Sequence, residues 1–441
     1  MPTTTDFLDE LTWRGLIKDC TDVDGLRRHL GAGKRLAYCG FDPTADSLTI
    51  GNLVPIMILR RWQQAGDVPV VVMGGGTGLI GDPSGKSAER QLMTAETVEE
   101  NIRGQRPIFD ALLKPGAGEA EPIIVNNHEW LGSLGYLEVL RDVGKHFSVN
   151  VMMQKDSVRE RLMGREQGIS YTEFSYMILQ AYDFLRLHDD RGVSVQLGGS
   201  DQYGNIVAGN ELIRRTHVEP GSEDAGPEVF GLTTPLITKA DGGKFGKTES
   251  GAVWLTADRT SPYAYYQFWL NAADADVEKF LKTFTLLTEP EIAKLMADQA
   301  DAPGKRPAQR ALAREATTLL HGAEAAAQAE LAGRALFSGE LAALPEALLA
   351  EVMSAVPSSD HAKSSLEGDG ADAVELLVEV GLAKSKREAR EFIGNGSVTV
   401  FGEGTGRKLG EGEAITPGDL LHGSMIAIRR GKKAWHLTRW A

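Results

Sequence analysis

Four short apolar runs, separated by long amphipathic stretches, constrain the fold of the first half of the chain more than any other feature. The runs lie at residues 35–41, 68–73, 123–125 and 193–197, and the stretches between them carry apolar residues at helical spacing. Strands that are apolar throughout must be covered on both faces, which is typical of a parallel sheet between helices. The sequence therefore predicts an α/β fold with a parallel sheet.

The second half of the chain has a different pattern. From residue 261 strand signals vanish and Ala, Leu and Glu dominate, which predicts a helical domain. A Ser-, Gly- and Asp-rich stretch without periodicity is interpreted as a flexible linker, and after it come two short helices, an Asn395-Gly396 turn and a small β region. The predicted domains are 1–260 (α/β), 261–350 (helical), 351–370 (flexible linker) and 371–441 (small, α+β).

Charge and cysteine content narrow the class of protein. The net charge of −14 argues against a protein coated in nucleic acid, but residues 371–441 hold 11 Lys and Arg against 9 Asp and Glu, a local excess of +2. No apolar run approaches the roughly 20 residues that cross a bilayer, and the acidic N-terminus is unlike a signal peptide. Two cysteines cannot form a disulfide framework or a four-thiolate zinc site. We therefore expect a cytoplasmic protein without a tightly bound metal.

Two glycine patterns suggest nucleotide binding, and neither fits. Gly76, Gly78 and Gly81 follow a strand with dinucleotide-motif spacing, but turn residues 82–85 stand where that motif opens a helix. A phosphate-binding loop would need glycine at Ile80. A nicotinamide-dependent oxidoreductase remains an alternative that nucleotide-binding spectroscopy would decide.

Two other segments are candidates for a nucleotide site. Residues 42–52 follow the first strand, at the carboxyl edge of a parallel sheet where ligands bind, and Gly51 permits close approach of an anion to the helix start. The lysine loop at 239–250 carries Lys244 and Lys247, whose charges would stabilise phosphates as pyrophosphate leaves. Taken singly, the first segment is explained equally well as an N-capped loop, and a basic glycine-rich loop like the second is usually just solvated.

Four motifs, in this order and spacing, resemble those of bacterial tyrosyl-tRNA synthetases: residues 42–48, 78–85, 198–202 and 244–248. The resemblance covers essentially the whole chain. It implies a class I Rossmann-like catalytic core, a helical anticodon-side domain and a C-terminal S4-like RNA-binding domain. It also implies a homodimer without membrane association that activates L-tyrosine with ATP and Mg²⁺ and transfers the tyrosine to the 3′ end of tRNA(Tyr).

The resemblance also implies a role for individual residues. The residues implied to bind tyrosine are Tyr38, Asp82, Asn127, Tyr176, Gln180, Asp183 and Gln202. The residues implied to contact ATP are Cys39, Gly40, Asp42, Gly51, Gly199, Asp201 and Lys247. The residues implied to act on the phosphates during catalysis are Thr44, Thr49, Asn52, Lys86, Arg90, Lys244 and Lys247.

Helical spacing supports part of this assignment independently. Tyr176, Gln180 and Asp183 are spaced i, i+4 and i+7, so they share one face of a helix. A stripe of Tyr, Gln and Asp is a poor core and a suitable polar wall. Such a wall would select tyrosine over phenylalanine, because its polar groups stay unpaired when the hydroxyl is missing.

One position departs from the family pattern. Residues 49–52 read Thr-Ile-Gly-Asn, where the family usually carries His-x-Gly-His or His-x-Gly-Asn. Asn52 is a neutral donor like the second histidine, whereas the Thr49 hydroxyl is shorter than an imidazole. The sequence predicts slower tyrosine activation, with the lysine loop and Arg90 carrying more of the phosphate stabilisation.

Basic residues are the candidates for tRNA contacts, because phosphate contacts supply affinity without sequence information. The candidates are Arg214, Arg215, Lys384, Lys386, Arg387, Arg390, Lys432 and Lys433. A solvated basic face is the competing interpretation for each cluster. For the whole chain, a non-catalytic RNA-binding relative is the second alternative to the enzyme, and tyrosine-dependent ATP–pyrophosphate exchange separates the two.

Overall fold

The structure is a computed structural model that divides into two compact units. It describes residues 6–82, 92–155, 158–159, 169–219, 222, 226–240, 242–243, 245–248, 251–354, 356–402, 406–431 and 434–441. The first unit comprises residues up to 261 together with 268–321, and the second comprises 262–267 and 322–441.

A six-stranded sheet forms the centre of the first unit. Its strands are β1 (Asp19–Cys20), β2 (Leu36–Phe41), β3 (Val68–Met73), β4 (Ile123–Asn126), β5 (Val195–Gly199) and β6 (Phe230–Thr234). They are ordered β1-β6-β5-β2-β3-β4, and all neighbours are parallel except the edge strand β1, which is antiparallel to β6. The predicted parallel sheet is confirmed, and the four apolar runs form β2 to β5.

Helices connect these strands. They are α1 (Phe7–Arg14), α2 (Val23–Gly31), α3 (Leu53–Gln64), α4 (Ala95–Leu112), α5 (His128–Leu131), α6 (Tyr136–Glu138), α7 (Val149–Gln154), α8 (Tyr171–Arg191) and α9 (Tyr203–His217). A π-helical turn, Val139–Val143, directly follows α6. From β2 the chain proceeds to β3 and β4 on one side, and β5 and β6 lie on the other side of β2. The sheet therefore has a topological switch point between β2 and β5, where α/β folds bind ligands.

Two buried arginines hold a further helix of the first unit against this core. That unit also contains α11 (Asp274–Phe284), α12 (Glu289–Asp301) and α13 (Pro307–His321), and α10 spans Pro262–Leu270. The Arg61 guanidinium donates to the carbonyls of Lys282, Thr283 and Thr285, and that of Arg14 donates to Lys282 and Leu287. These cations satisfy carbonyls left without partners at a helix C-terminus and complement its partial negative charge.

The second unit combines helices with a five-stranded sheet. Its further helices are α14 (Ala323–Ser338), α15 (Glu346–Val352), α16 (Ala373–Glu379) and α17 (Lys386–Gly394). The sheet has the order β12 (Arg407–Lys408), β11 (Val398–Phe401), β14 (Met425–Arg430), β15 (Ala434–Trp440), β9 (Ser358–His361), beside a two-stranded pair of β10 (Ala371–Asp372) with β13 (Ala414–Ile415). The predicted small α+β region after residue 371 is thus present.

The predicted flexible linker at 351–370 is replaced by ordered structure over much of its length. Residues 358–361 pair in parallel with β15, and residues 363–366 form a 3₁₀ turn that buries Leu366. The polar sequence of β9 suits an edge strand, whose outer side faces water. The helical residues 261–350 are also divided differently from the prediction, because α13 belongs to the first unit and α14 to the second. Within the described residues, no helix has the length and apolarity required to cross a membrane.

Candidate active site

A buried tyrosine and a buried aspartate lie at the switch point, on β2 and α8. The side chain of Tyr38 is 1% exposed, and its hydroxyl has no hydrogen-bond partner among the described residues. Asp183 accepts hydrogen bonds from Asn127 Nδ2 at 2.9 Å and from Trp130 Nε1 at 2.7 Å. Burial raises the pKa of Asp183 to about 7, against the effect of these two donors. Both side chains have hydrogen-bonding capacity left for a ligand.

A chain of hydrogen bonds joins Asp183 to the end of β2. Asn127 also donates to Thr77 Oγ1 at 3.1 Å, and the Thr77 hydroxyl donates to Asp42 Oδ1 at 2.9 Å. The other oxygen of Asp42 accepts from the Tyr176 hydroxyl at 3.1 Å. Position 74 beside these hydrogen bonds requires glycine, because a Cβ there would lie 2.4 Å from Asp42 Oδ1. The network fixes the orientation of both carboxylates.

A second network lies on α8, α9 and the turn after β5. Asn205 donates to Gln180 Oε1 at 3.0 Å and to Gln202 Oε1 at 3.3 Å. Gln202 Nε2 in turn donates to Asp82 at 2.9 Å and to Asp201 at 3.2 Å. The pKa of Tyr176 is raised well above its ordinary value, mainly by burial and further by the negative charges of Asp42, Asp82 and Asp183. The cleft between the networks is therefore electronegative and suits a cationic group.

Five of the residues implied to bind ATP lie at the carboxyl ends of two strands: Cys39, Gly40 and Asp42 at β2, and Gly199 and Asp201 at β5. Cys39 is buried, and burial together with Asp201 raises the pKa of its thiol to about 12, so the thiol stays neutral. Gly40 and Gly51 are exposed, and Gly199 ends β5, where a Cβ would lie 2.6 Å from Asp201 Oδ1. Thr44 is exposed just beyond Asp42.

Thr49 and Asn52 bond to each other at the start of a short 3₁₀ helix, Ile50–Asn52. Asn52 Oδ1 accepts from the Thr49 backbone N–H at 3.1 Å and from the Thr49 hydroxyl at 3.0 Å. The Asn52 carbonyl oxygen is thereby occupied, which leaves the Asn52 Nδ2 donor for an outside ligand.

Part of the lysine loop packs directly on this turn. Gly246 has φ +79°, and a Cβ there would lie 2.5 Å from Ile50 Cγ2. Val253 N–H donates to the Gly246 carbonyl at 3.0 Å, and Ile50 N–H donates to the Val253 carbonyl at 2.9 Å. Phe245 stacks on Phe284 with ring centroids 5.2 Å apart. The loop is therefore anchored on both sides of residue 246.

Several predicted residues cannot be placed. Lys86, Arg90, Lys244, Lys432 and Lys433 lie outside the described residues. Lys247 is described only through its backbone, which begins a two-residue strand (β7, Lys247–Thr248) paired with β8 (Gly251–Ala252). Their roles remain predictions.

The alternative dinucleotide site lacks its defining helix. Residues 77–79 form a single 3₁₀ turn, and Gly81 then adopts φ +86°. Of the turn residues predicted at 82–85, only Asp82 belongs to the described residues, so that turn stays a prediction. No extended helix N-terminus is offered to a pyrophosphate by residues 76–82.

The basic candidates for tRNA contacts are all exposed where they are described. In the first unit, Arg214 and Arg215 lie in the last turn of α9 and both pair with Glu211. In the second unit, Lys384, Lys386, Arg387 and Arg390 surround the start of α17, which Ser385 caps, and Lys386 pairs with Glu375.

Three residues of the networks escaped the sequence-based prediction. Trp130 holds Asp183, Thr77 links Asn127 to Asp42, and Asn205 joins two glutamines. Trp130 and Thr77 lie far from their partners in the chain and belong to no recognised motif. Asn205 alone carried a signal, because it follows Gln202 at i+3 on the same helix face.

Comparisons with known proteins agree over the full chain. Residues 32–338 match the family described as tRNA synthetases class I (W and Y), and residues 349–438 match the tyrosine–tRNA ligase SYY-like C-terminal domain. The tyrosine–tRNA ligase of Bacillus caldotenax is 52% identical over 436 residues, which is 99% of this chain and 100% of that protein. The enzyme of that name from Aliivibrio fischeri strain MJ11 is 48% identical over 100% of both chains.

Solved structures support the same family. A C-terminally truncated mitochondrial tyrosyl-tRNA synthetase from Aspergillus nidulans is 33% identical, has a TM-score of 0.67, and covers 76% of this chain and 94% of its own. With the family models and the full-length relatives, the fold and the polar cleft lead to one assignment. The chain belongs to the class I tRNA synthetases of the tryptophan and tyrosine group, within the tyrosine–tRNA ligases.

Proposed function

We propose that the protein activates L-tyrosine with ATP to tyrosyl-adenylate and pyrophosphate, and then transfers the tyrosine to the 3′ end of tRNA(Tyr). The observation that carries this proposal is that two buried polar groups lie near each other, the Tyr38 hydroxyl and the Asp183 carboxylate. Among the described residues, the Tyr38 hydroxyl has no hydrogen-bond partner. A phenol can donate to a carboxylate and accept from a hydroxyl at once. Phenylalanine would leave the Tyr38 hydroxyl buried and unpaired, and would not use the remaining acceptor capacity of Asp183.

The opposite end of the tyrosine would lie against the acidic networks. Asp82, Tyr176 and Gln180 are proposed to bind the ammonium group, with Gln202 beside the carboxylate. The support is electrostatic, because Asp42, Asp82 and Asp183 act together on Tyr176 and favour a cation nearby. Asn127 is proposed to act by holding Asp183 and Thr77 in place.

ATP is proposed to bind at the carboxyl ends of β2 and β5 as its magnesium complex, with Mg²⁺ as part of the substrate. Asp201 and Gly199 would contact the ribose, and Cys39, Gly40, Asp42 and Gly51 would line the rest of the nucleotide site. The tyrosine carboxylate oxygen attacks the α-phosphorus, and the bond from that phosphorus to the bridging oxygen of pyrophosphate breaks. Negative charge then builds on the departing phosphates.

Stabilisation of that charge is assigned to Thr44, Thr49, Asn52, Lys86, Arg90, Lys244 and Lys247. The contact of Gly246 with Ile50 supports a role for the lysine loop, since it places residues 245–248 beside the Thr49–Asn52 turn. Groups that meet the phosphates more strongly in the transition state than in the ground state raise the rate. Asn52 Nδ2 donates to no other group among the residues that the structure describes, so it is proposed as a donor to the phosphates.

The activity is tested by two assays on the full-length protein. Tyrosine-dependent ATP–pyrophosphate exchange measures activation, and aminoacylation of tRNA with tyrosine and phenylalanine side by side measures transfer and selectivity. We expect both reactions with tyrosine and neither at a comparable rate with phenylalanine. An absence of exchange in the presence of tRNA binding would instead identify a non-catalytic RNA-binding relative.

Transfer of tyrosine requires that tRNA(Tyr) bind the enzyme. The α17 cluster of Lys384, Lys386, Arg387 and Arg390, together with Lys432 and Lys433, is proposed to contact the phosphate backbone, and Arg214 and Arg215 the acceptor stem. The exposure of all the described members supports this. The helical and S4-like regions are the proposed anticodon-side and RNA-binding domains. A reducing cytoplasm is the proposed location, consistent with two free thiols, Cys20 and Cys39.

A homodimer is proposed through the surface formed by residues 136–153 and Tyr171. Among the described residues of this segment, seven large apolar side chains are exposed: Tyr136, Leu137, Leu140, Val149, Val151, Met153 and Tyr171. The Tyr136 hydroxyl raises the pKa of Tyr171, so these two side chains lie close together. A cluster of exposed apolar side chains is typical of a protein interface.

Leu137→Asp should shift the protein from dimer to monomer. Leu137 is 79% exposed, and a carboxylate at an apolar interface loses its hydration without a partner. We expect the dissociation constant to rise by about 100-fold or more, measured by sedimentation equilibrium. Val23→Asp is the control, because Val23 is 41% exposed at the start of α2, outside this segment. A dimer of unchanged affinity in Leu137→Asp would remove this surface from the interface.

A further inference from the structure

We propose that His188, Asp189 and His217 form a binding site for a divalent transition-metal ion, with zinc as the representative. The three side chains lie where α8 and α9 end, and one ligand atom from each lies within 4.8 Å of the others. His188 and Asp189 are in the last turn of α8, and His217 is the last residue of α9. The proposal goes beyond tyrosine activation and does not depend on it.

Backbone hydrogen bonds prepare both imidazoles for metal binding. His188 Nδ1 lies 3.0 Å from the Val193 carbonyl, and His217 Nδ1 lies 2.9 Å from the Ile213 carbonyl. A carbonyl only accepts, so Nδ1 carries the proton in each ring and Nε2 of the neutral ring holds a lone pair. Such a second hydrogen bond is the usual way in which a protein orients a metal-binding histidine.

The contact between His217 and Asp189 requires a cation. His217 Nε2 lies 3.0 Å from Asp189 Oδ1, although both atoms are acceptors when the imidazole is neutral. Two lone pairs at this distance repel unless a proton or a metal ion lies between them. Zinc bound to three protein ligands near 2.0–2.2 Å, with water in the fourth position, would replace that proton.

The surroundings also favour a cation. Both helices carry the partial negative charge of their C-termini at this point. Nearby positive charges are partly offset by carboxylates, since Arg186 pairs with Asp190, and Arg214 and Arg215 share Glu211. Imidazole with carboxylate is a ligand set that suits zinc, nickel and copper better than magnesium or calcium.

The site is separate from the polar cleft. His188 lies five residues beyond Asp183 on α8, about 8 Å further along the helix axis. Both helices end on the side where β5 and β6 begin, whereas the cleft lies where the strands end. A bound ion would tie together the two helices that carry Gln180 and Asn205, so it would stabilise the cleft from the opposite side.

Zinc titration of the full-length protein tests the proposal, using untagged protein dialysed against a chelator. We expect one equivalent to bind with release of protons, and cobalt to give the visible absorption of a tetrahedral site. His217→Gln and Asp189→Asn should each weaken zinc binding by at least about tenfold, since changes even in the outer shell cost that much. Zinc should raise the melting temperature of the parent protein and not of these two variants.

Asp190→Asn is the matched control, because it removes the neighbouring exposed carboxylate of the same helix. Its zinc affinity should equal that of the parent, and circular dichroism should confirm that all three variants are folded. Equal zinc affinity in the parent, His217→Gln and Asp189→Asn would overturn the proposal. The proposal would also be overturned if Asp190→Asn lost as much zinc affinity as the other two variants, or if the parent protein did not bind one equivalent of zinc saturably.

Discussion

Asp183→Asn is expected to lower kcat/KM for tyrosine in pyrophosphate exchange by about 100-fold and to leave the low value for phenylalanine nearly unchanged. The substitution replaces a charged acceptor by a neutral one, and a hydrogen bond to a charged group contributes about 1.5–3 kcal/mol. Phenylalanine makes no such bond and so loses nothing. The selectivity of the enzyme for tyrosine should therefore fall by the same factor. Tyrosine–tRNA ligases are themselves the reference case for this kind of asymmetry.

Two further variants make this result interpretable. Tyr38→Phe removes the second polar group of the pocket and should lower the selectivity by about tenfold, the contribution of one neutral hydrogen bond. Asp190→Asn alters an exposed carboxylate of the same helix, paired with Arg186, and should leave both substrates unaffected. If Asp183→Asn keeps the parental tyrosine-to-phenylalanine ratio, Asp183 does not contact the phenol.

The pH dependence of the reaction should report the same carboxyl group. Burial raises the pKa of Asp183 to about 7, so the group gains a proton as the pH falls through that value. The protonated form is a poorer acceptor for a phenol, and also for the N–H groups of Asn127 and Trp130. We expect kcat/KM for tyrosine to decrease below about pH 7, since this ratio reports the free enzyme. Asp183→Asn should abolish that decrease.

The sequence predicted the fold where the signal was local. Strands β2 to β5 can be recognised from their own sequences, because a strand that is buried on both faces is apolar throughout. Strand β6, Phe230–Thr234, was missed because only two of its five residues are strongly apolar, although all five are buried. The antiparallel edge strand β1 has two residues and exists through its pairing with Leu232 and Thr233. Pairing of this kind cannot be inferred from one strand alone.

The difference between local sequence signals and contacts made only by tertiary packing also explains which site residues could be predicted. The polar stripe of Tyr176, Gln180 and Asp183 followed from helical spacing, and the structure describes all three at the cleft. Trp130 donates to Asp183 from a different helix, and only tertiary packing brings the two together. The residues of β9 were interpreted as a linker because their polar composition matches a loop, and their strand exists only by pairing with β15. His188 and His217 likewise meet only because α8 and α9 end side by side.

Gly246→Ala is expected to lower the rate of tyrosine activation by about 100-fold with little change in KM for tyrosine. Gly246 has φ +79°, a conformation that costs a residue with a side chain about 1–2 kcal/mol. The added Cβ would also lie 2.5 Å from Ile50 Cγ2, so the loop must move away from the Thr49–Asn52 turn. The strand that begins at Lys247 would move with it. A loss of about 2.7 kcal/mol of transition-state stabilisation corresponds to 100-fold in rate.

Gly242→Ala separates the contact with Ile50 from backbone strain. Gly242 belongs to the same loop and has φ +78°, but no atom lies within 4 Å of the position of its Cβ. Both variants therefore carry similar strain, and only Gly246→Ala displaces the loop from the turn. Presteady-state measurement of adenylate formation should show a large defect in Gly246→Ala and a small one in Gly242→Ala. Equal defects would mean that loop conformation, and not its packing on Ile50, controls the rate. An unimpaired Gly246→Ala would show that activation does not require residues 245–248 to stay against the turn, because the lysine loop could then act on the phosphates from a displaced position.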